Sequence, residues 1–164
     1  MPLILQERHG NTLHITFNDP QRRNPISPDM REELIEILRA AHSNSQVRSI
    51  LFSGADGTFS AGGDLKSMPP ESPAATDERM DRVAVMVRLV SGSVKPTLAA
   101  VEGAAAGVST GIAAACDYVV MGHEARFLFP FTRLGLIPDG GILASLGHRV
   151  GHARAKDTPI NEYV

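Results

Sequence analysis

Apolar and polar positions along the chain change rhythm several times, and the changes mark its elements. Leu3 to Arg8 and Thr12 to Phe17 pattern as two strands around His9, Gly10 and Asn11, a hairpin signal. A loop rich in turn residues follows from Asn18 to Pro25. Ser27 is placed to cap a helix with Pro28 at its first position. Met30, Leu34, Ile35, Leu38 and Ala41 then share one face, while Glu32, Glu33, Glu36 and Arg39 fall elsewhere. Such a helix packs on a sheet. Ser49 to Ser53 reads as a buried strand and Gly54 to Gly63 as the loop after it. A Pro-rich linker, Met68 to Thr76, leads into a second amphipathic helix with Met80, Val83, Ala84, Val87 and Val90 inward. Thr97 to Val101 is the next strand, and a glycine-rich segment then enters a helix ending near Cys116. Strands at Tyr118 to Met121 and Ala125 to Leu128 and a last helix after Gly140 or Gly141 complete the series. Strands and helices alternating in this way define an α/β fold.

Composition narrows the class without naming a function. The chain has 164 residues, 43% apolar and 21% charged, enough for one sizeable core and a single domain over 1–164. Its net charge of -2, with no basic cluster carrying interleaved aromatics, argues against a nucleic-acid partner. Cys116 is the only cysteine, so no internal disulfide forms. The N-terminal MPLILQERHG lacks the layout of a signal peptide, which makes a cytoplasmic setting the expectation. The span from Pro96 to Tyr118 lacks Lys and Arg, but it carries Glu102 and Asp117 and is mostly Ala and Gly. No membrane association is expected.

Three segments carry candidate chemistry: FSAGGD from Phe59 to Asp64, GAAAGVSTG from Gly103 to Gly111, and FTRLGLIPD from Phe131 to Asp139. Each puts small residues or proline where a side chain would obstruct a backbone amide. Two amides converging on one point make an oxyanion hole, a donor pair that side-chain mutation does not delete. In this order the motifs resemble the crotonase superfamily of enoyl-CoA hydratases and isomerases, from Leu3 to about Lys156. The resemblance implies a ββα spiral, an acyl-CoA thioester as substrate with no other cofactor, and a trimer-type homo-oligomer. It assigns the oxyanion donors to the amides of Ala61 and Val108, the latter near a helix start whose dipole adds to the field. It also implies a coenzyme A site along Ala61, Gly62, Gly63, Asp64 and Leu65 and at Gly107. Arg22 and Arg23 of NDPQRRNPIS are then expected near the phosphates, with Lys66 a weaker candidate.

The acid or base decides between reactions. The family's hydratases use two glutamates, and the matching positions here hold Gly111 and Phe131, which transfer no proton. Asp139 remains. In several crotonase isomerases an acid at this position moves a proton between the α and γ carbons, and FTRLGLIPDGG is similar to the 1,2-epoxyphenylacetyl-CoA isomerases. The resemblance therefore favours an isomerase over a hydratase-like lyase or a non-catalytic CoA-binding protein. A desolvated Asp139 would have a raised pKa suited to neutral pH. The structural alternative is a helix cap.

A competing class is a serine esterase, because Gly107-Val108-Ser109-Thr110-Gly111 matches G-x-S-x-G. That motif works as an elbow directly between strand and helix, and with the strand ending near Val101 the context is expected to fail. His9, His14 and His42 are scattered along the chain, so no metal is expected. Cys116 reads as a buried structural thiol. Family members continue beyond the position of Lys156 into helices that cover the acyl pocket and build the trimer. Here a divergent tail, DTPINEYV, is expected instead, with Pro159 interrupting any helix through Ala153 to Lys156. A chain without most of that region is expected to self-associate or expose apolar surface.

Overall fold

The computed structural model describes residues 2–68 and 72–161. Strands β1 (Ile4–His9) and β2 (Thr12–Phe17) form the anticipated antiparallel hairpin, turning at Gly10 with φ +62. Helix α1 (Pro28–Ser43) starts where Ser27 Oγ accepts the Met30 N–H, at 3.2 Å, and every residue assigned to its inner face is buried. Losing a cap of this kind costs about 1 kcal/mol. β3 (Ser49–Gly54), β4 (Thr97–Val101) and β6 (Tyr118–Met121) extend the sheet in parallel, giving the order β1-β2-β3-β4-β6.

One face of this sheet, with Leu13, Ile15, Phe17, Ile50 and Phe52, joins the core beneath α1. Its other face is polar at the hairpin end, with Thr12, His14, Thr16, Ser49 and Ser53. The hairpin places His9 and His14 side by side, ring centroids 6.0 Å apart, so these two are not scattered in space. Apolar side chains are exposed at Tyr118 and Val120 on β6 and at Leu134, Leu136 and Ile137.

Three elements depart from the sequence reading. Helix α2 (Pro73–Ser91) begins inside the expected linker, because Ser72 caps it and Pro73 takes its first turn. Residues 69–71 of that linker lie outside the described residues. α2 packs against α1 and against α3 (Val108–Ala115). Met86, Val87 and Val90 are therefore its buried residues, whereas Met80, Val83 and Ala84 are only half-buried. A short strand unforeseen in the sequence, β5 (Ala104–Ala106), pairs in parallel with β7 (Arg126–Leu128). Three alanines carry no β-strand signal; their neighbours' backbones create the strand. Finally, α4 (Ile142–Val150) ends at Gly151, with φ +83, and α5 (His152–Asn161) runs through position 159. Proline in a last turn removes one helical N–H bond and need not stop the helix.

The second ladder positions the motifs. Single bridges join Ile26 to Gly63 and Ser60 to Ala105, so the chain after β3 lies between the start of α1 and β5. Ile26 N–H donates to the Gly62 carbonyl at 2.7 Å, Ser60 N–H to the Ala104 carbonyl at 2.9 Å, and Gly107 N–H to the Leu128 carbonyl at 3.0 Å. Backbone pairing alone thus brings the first two motifs together.

Candidate active site

The loop after β3 is tied down by groups the sequence reading did not single out. Asn24 is fully buried with φ +54; its amide donates to the carbonyls of Ala55 and Thr58, and its carbonyl accepts from Asp19 N–H. The side chain locks two loops together, and the only sequence signal for it is an Asn before a Pro in a turn-rich run. At Gly62 a Cβ would stand 2.4 Å from the Ala106 carbonyl oxygen, and φ is +89. Only glycine allows this approach of FSAGGD to the middle motif.

The amide inventory corrects one site assignment. Ala61 N–H donates to the Arg23 carbonyl at 2.8 Å, and Gly62 N–H donates to Ser60 Oγ at 3.1 Å. Neither is available to a ligand. Among the described residues the amides of Gly63 and Val108 have no acceptor, and both residues line one cleft. Val108 is the first residue of α3, so its N–H is one of those a helix leaves unsatisfied. Gly107 before it has φ 53 and ψ -126, a conformation that glycine adopts readily and that turns the chain sharply from β5 into α3.

The cleft encloses about 100 Å³ and gathers Ala61, Gly63, Leu65, Gly107, Val108 and Asp139, with apolar walls that include Ile26, Met68, Val83 and Phe131. The third motif thereby meets the other two. Asp139 is half-buried, and desolvation raises its pKa above the ordinary carboxylate value; the positive charge of Arg79 and a hydrogen bond from its own backbone oppose the rise. Asp139 does not cap α4: the N-cap is Gly141, with no side-chain cap bond. Only the Asp139 carbonyl takes part, accepting Ile142 N–H at 3.2 Å. The cap alternative is therefore excluded by geometry.

Two cations of the cleft, Arg31 and Arg79, escaped the sequence reading because helical arginines usually signal a solvated face. Arg22, an expected phosphate contact, is instead paired with Asp19 and with Asp64, Nη1 to Oδ2 at 2.8 Å, and these hydrogen bonds raise its pKa. Asp64 also accepts Lys66 N–H, so this carboxylate braces the loop. Arg23 is exposed, in left-handed backbone with φ 63. Arg22, Arg23, Gly62 and Asp64 do not line the cleft.

The two positions without an acid have local explanations. A Cβ at Gly111 would stand 2.1 Å from the Gly140 carbonyl oxygen, so the small residue lets the Asp139 loop lie against α3. Phe131 is buried with its ring near Gly107, filling the wall where a second acid would stand.

Ser109 does follow a strand closely, since β5 ends at Ala106, so the expected failure of elbow context does not hold. The hydroxyl nevertheless cannot act as a nucleophile here. It is fully buried, accepts Ala106 N–H at 2.9 Å, and lies 3.0 Å from the Ser60 carbonyl and 2.8 Å from the Ala106 carbonyl. Burial pushes the Cys116 thiol up to about 12, far from a reactive thiolate.

The parallel β5–β7 ladder, a glycine turn into a buried helix and an acid in the adjoining loop thus meet at one cleft within a crotonase-type fold. Residues 7–161 match the Enoyl-CoA hydratase/isomerase family, and the chain belongs to it. It is 34% identical over 161 residues to the 1,2-epoxyphenylacetyl-CoA isomerase of Escherichia coli (strain K12), covering 94% of this chain and 61% of that protein. It is 30% identical over 156 residues to the trans-2-decenoyl-[acyl-carrier-protein] isomerase of Streptococcus mutans, covering 93% of this chain and 59% of the other. Among solved structures, an enoyl-CoA hydratase from Polaromonas sp. JS666 superposes with a TM-score of 0.90 at 33% identity, over 98% of this chain and 64% of that one. The chain spans about three fifths of the length of the relatives it matches. Among the described residues no helix is long and apolar enough to cross a membrane.

Proposed function

We propose that the chain binds an acyl-CoA thioester with its carbonyl oxygen between the amides of Gly63 and Val108, and that Asp139 shuttles a proton between substrate carbons. The observation that carries this reading is the meeting of two acceptor-free amides and one desolvated carboxyl in a single apolar cleft. In a 3-enoyl thioester the Asp139 carboxylate takes an α proton and the electron pair moves onto the thioester oxygen. The same group, now an acid, returns the proton at the γ carbon as the carbonyl re-forms. One carboxyl suffices, and the dienolate oxygen is held by donors already oriented, a contribution of roughly 3 kcal/mol each. Arg79, across from Asp139, favours its ionised form and opposes the desolvation.

Hydration is disfavoured because it requires an acid and a base on a bound water, and positions 111 and 131 supply neither. Loss of enoyl absorbance from crotonyl-CoA should be roughly 100-fold or more slower than general acid-base catalysis would allow. A Gly111→Glu variant should not restore it, because the Gly140 carbonyl occupies the space of the new Cβ. That variant should lose about 1–3 kcal/mol of stability in urea denaturation. Fast crotonyl-CoA hydration by the unmodified chain would overturn the assignment.

The function itself is tested by thermal shift with a panel of acyl-CoA esters, in parallel with deuterium uptake from heavy water into a 3-enoyl-CoA. Saturation at about 100 Kd stabilises by about 2.7 kcal/mol. Binding with exchange supports the isomerase. Binding without exchange reduces the chain to a CoA-binding protein, and no binding sinks both readings.

A further inference from the structure

Among the described residues outside the cleft, one group of side chains has the chemistry of a metal site. Glu7, His9 and His14 each offer a ligand atom, and these atoms lie within 4.8 Å of one another. The hairpin builds the group. Glu7 and His9 are two apart on β1 and so share a face, and the pairing register sets His14 on β2 directly opposite Glu7. His9 Nε2 is 3.3 Å from Glu7 Oε2. The turn between them spans only Gly10 and Asn11, which leaves the two strands little freedom to separate.

The third ligand has a supporting shell. His14 Nε2 lies 2.7 Å from Ser53 Oγ and 3.3 Å from Thr16 Oγ1. When Nε2–H donates to Ser53, Nδ1 keeps its lone pair, the arrangement by which metal-binding imidazoles are usually oriented. The neighbouring cation is held elsewhere: Arg8 donates to the carbonyls of Gln46 and Gly10. A tetrahedral ion with bonds of about 2.0–2.1 Å needs ligand atoms roughly 3.3 Å apart. Glu7 and His9 are exposed enough to rotate into that spacing.

We infer that Glu7, His9 and His14 form a surface site for a divalent transition-metal ion of the zinc, nickel or cobalt class, separate from the acyl-CoA cleft. Two imidazoles and one carboxylate favour these ions over magnesium or calcium, which prefer all-oxygen shells. Water completes the coordination, since the site faces solvent.

The test uses the full chain without an affinity tag, titrated with cobalt(II) chloride by calorimetry and by visible absorption. One ion per chain is expected, with a ligand-field band and no competition from magnesium chloride. His9→Ala, at an exposed position, and His14→Ala should each weaken binding at least tenfold, and His123→Ala should leave it unchanged. Ser53→Ala, which removes the hydroxyl behind His14 together with its contact to Thr16, should weaken it roughly tenfold or more. Substoichiometric binding, or a titration that survives both His9→Ala and His14→Ala, would show that the group is only a cross-strand polar cluster.

Discussion

Asp139→Asn should lower deuterium exchange into a 3-enoyl-CoA by roughly 100 to 10,000-fold, the range attributed to a positioned acid or base. Acyl-CoA affinity should stay close to that of the unmodified chain. Asn keeps the shape and cannot take the proton, and no capping bond is lost because Gly141 caps α4 without side-chain help. The same variant should be more stable at neutral pH. Burial raises the folded pKa of Asp139 above its ordinary 3.8, so the folded state holds the proton more tightly than the unfolded one. The stability this confers is complete below the unfolded value and is lost as pH rises through the raised folded value. The advantage of Asn should therefore be largest above that window and vanish in acid, which a series of melting curves would show. Exchange rate should rise with pH through the same raised value. Exchange that persists in Asp139→Asn would remove the residue from the mechanism.

On the proposed mechanism, Val108→Pro should reduce turnover by roughly 100 to 1,000-fold while the protein folds, because it deletes one of the two proposed oxyanion donors and little else. Position 108 is the first residue of α3, where proline's fixed φ suits the helix and the N–H it lacks bonds nothing among the described residues. Gly107, at φ 53 and ψ -126, sits in the mirror image of the extended backbone that precedes proline, which glycine adopts as readily. A cooperative melt beside near-normal turnover would place the thioester oxygen elsewhere. The comparison variant is Ala61→Gly, whose amide is bonded to the Arg23 carbonyl and whose turnover should change little.

The difference between Ala61 and Gly63 shows where reading the chain reaches its limit. A small-residue motif announces that some amide is exposed to a ligand, since side chains are absent over several positions together. Which amide is free depends on the partners that arrive from elsewhere. Arg23 and Ser60 take the amides of Ala61 and Gly62 and leave that of Gly63. The same holds for Arg22, whose charge is legible in sequence but whose partners are Asp19, three residues before it, and Asp64, 42 residues after it.

By itself the sequence determined the elements with strong local codes: the hairpin around Gly10, α1 with its Ser27 cap, the strand at Thr97–Val101, and the presence of an acid at 139 with none at 111 or 131. Periodicity, capping and residue chemistry are properties of neighbours along the chain, so they need no fold to be read. Tertiary structure alone decided the rest. It turned three alanines into a strand by pairing them with β7 and brought His9 and His14 together across a turn. It also set the Gly140 carbonyl against Gly111, so that the loop carrying Asp139 closes over α3 and the carboxyl loses water. Each of these depends on backbone hydrogen bonds and desolvation between segments far apart in the chain, and those energies exist only once the segments meet.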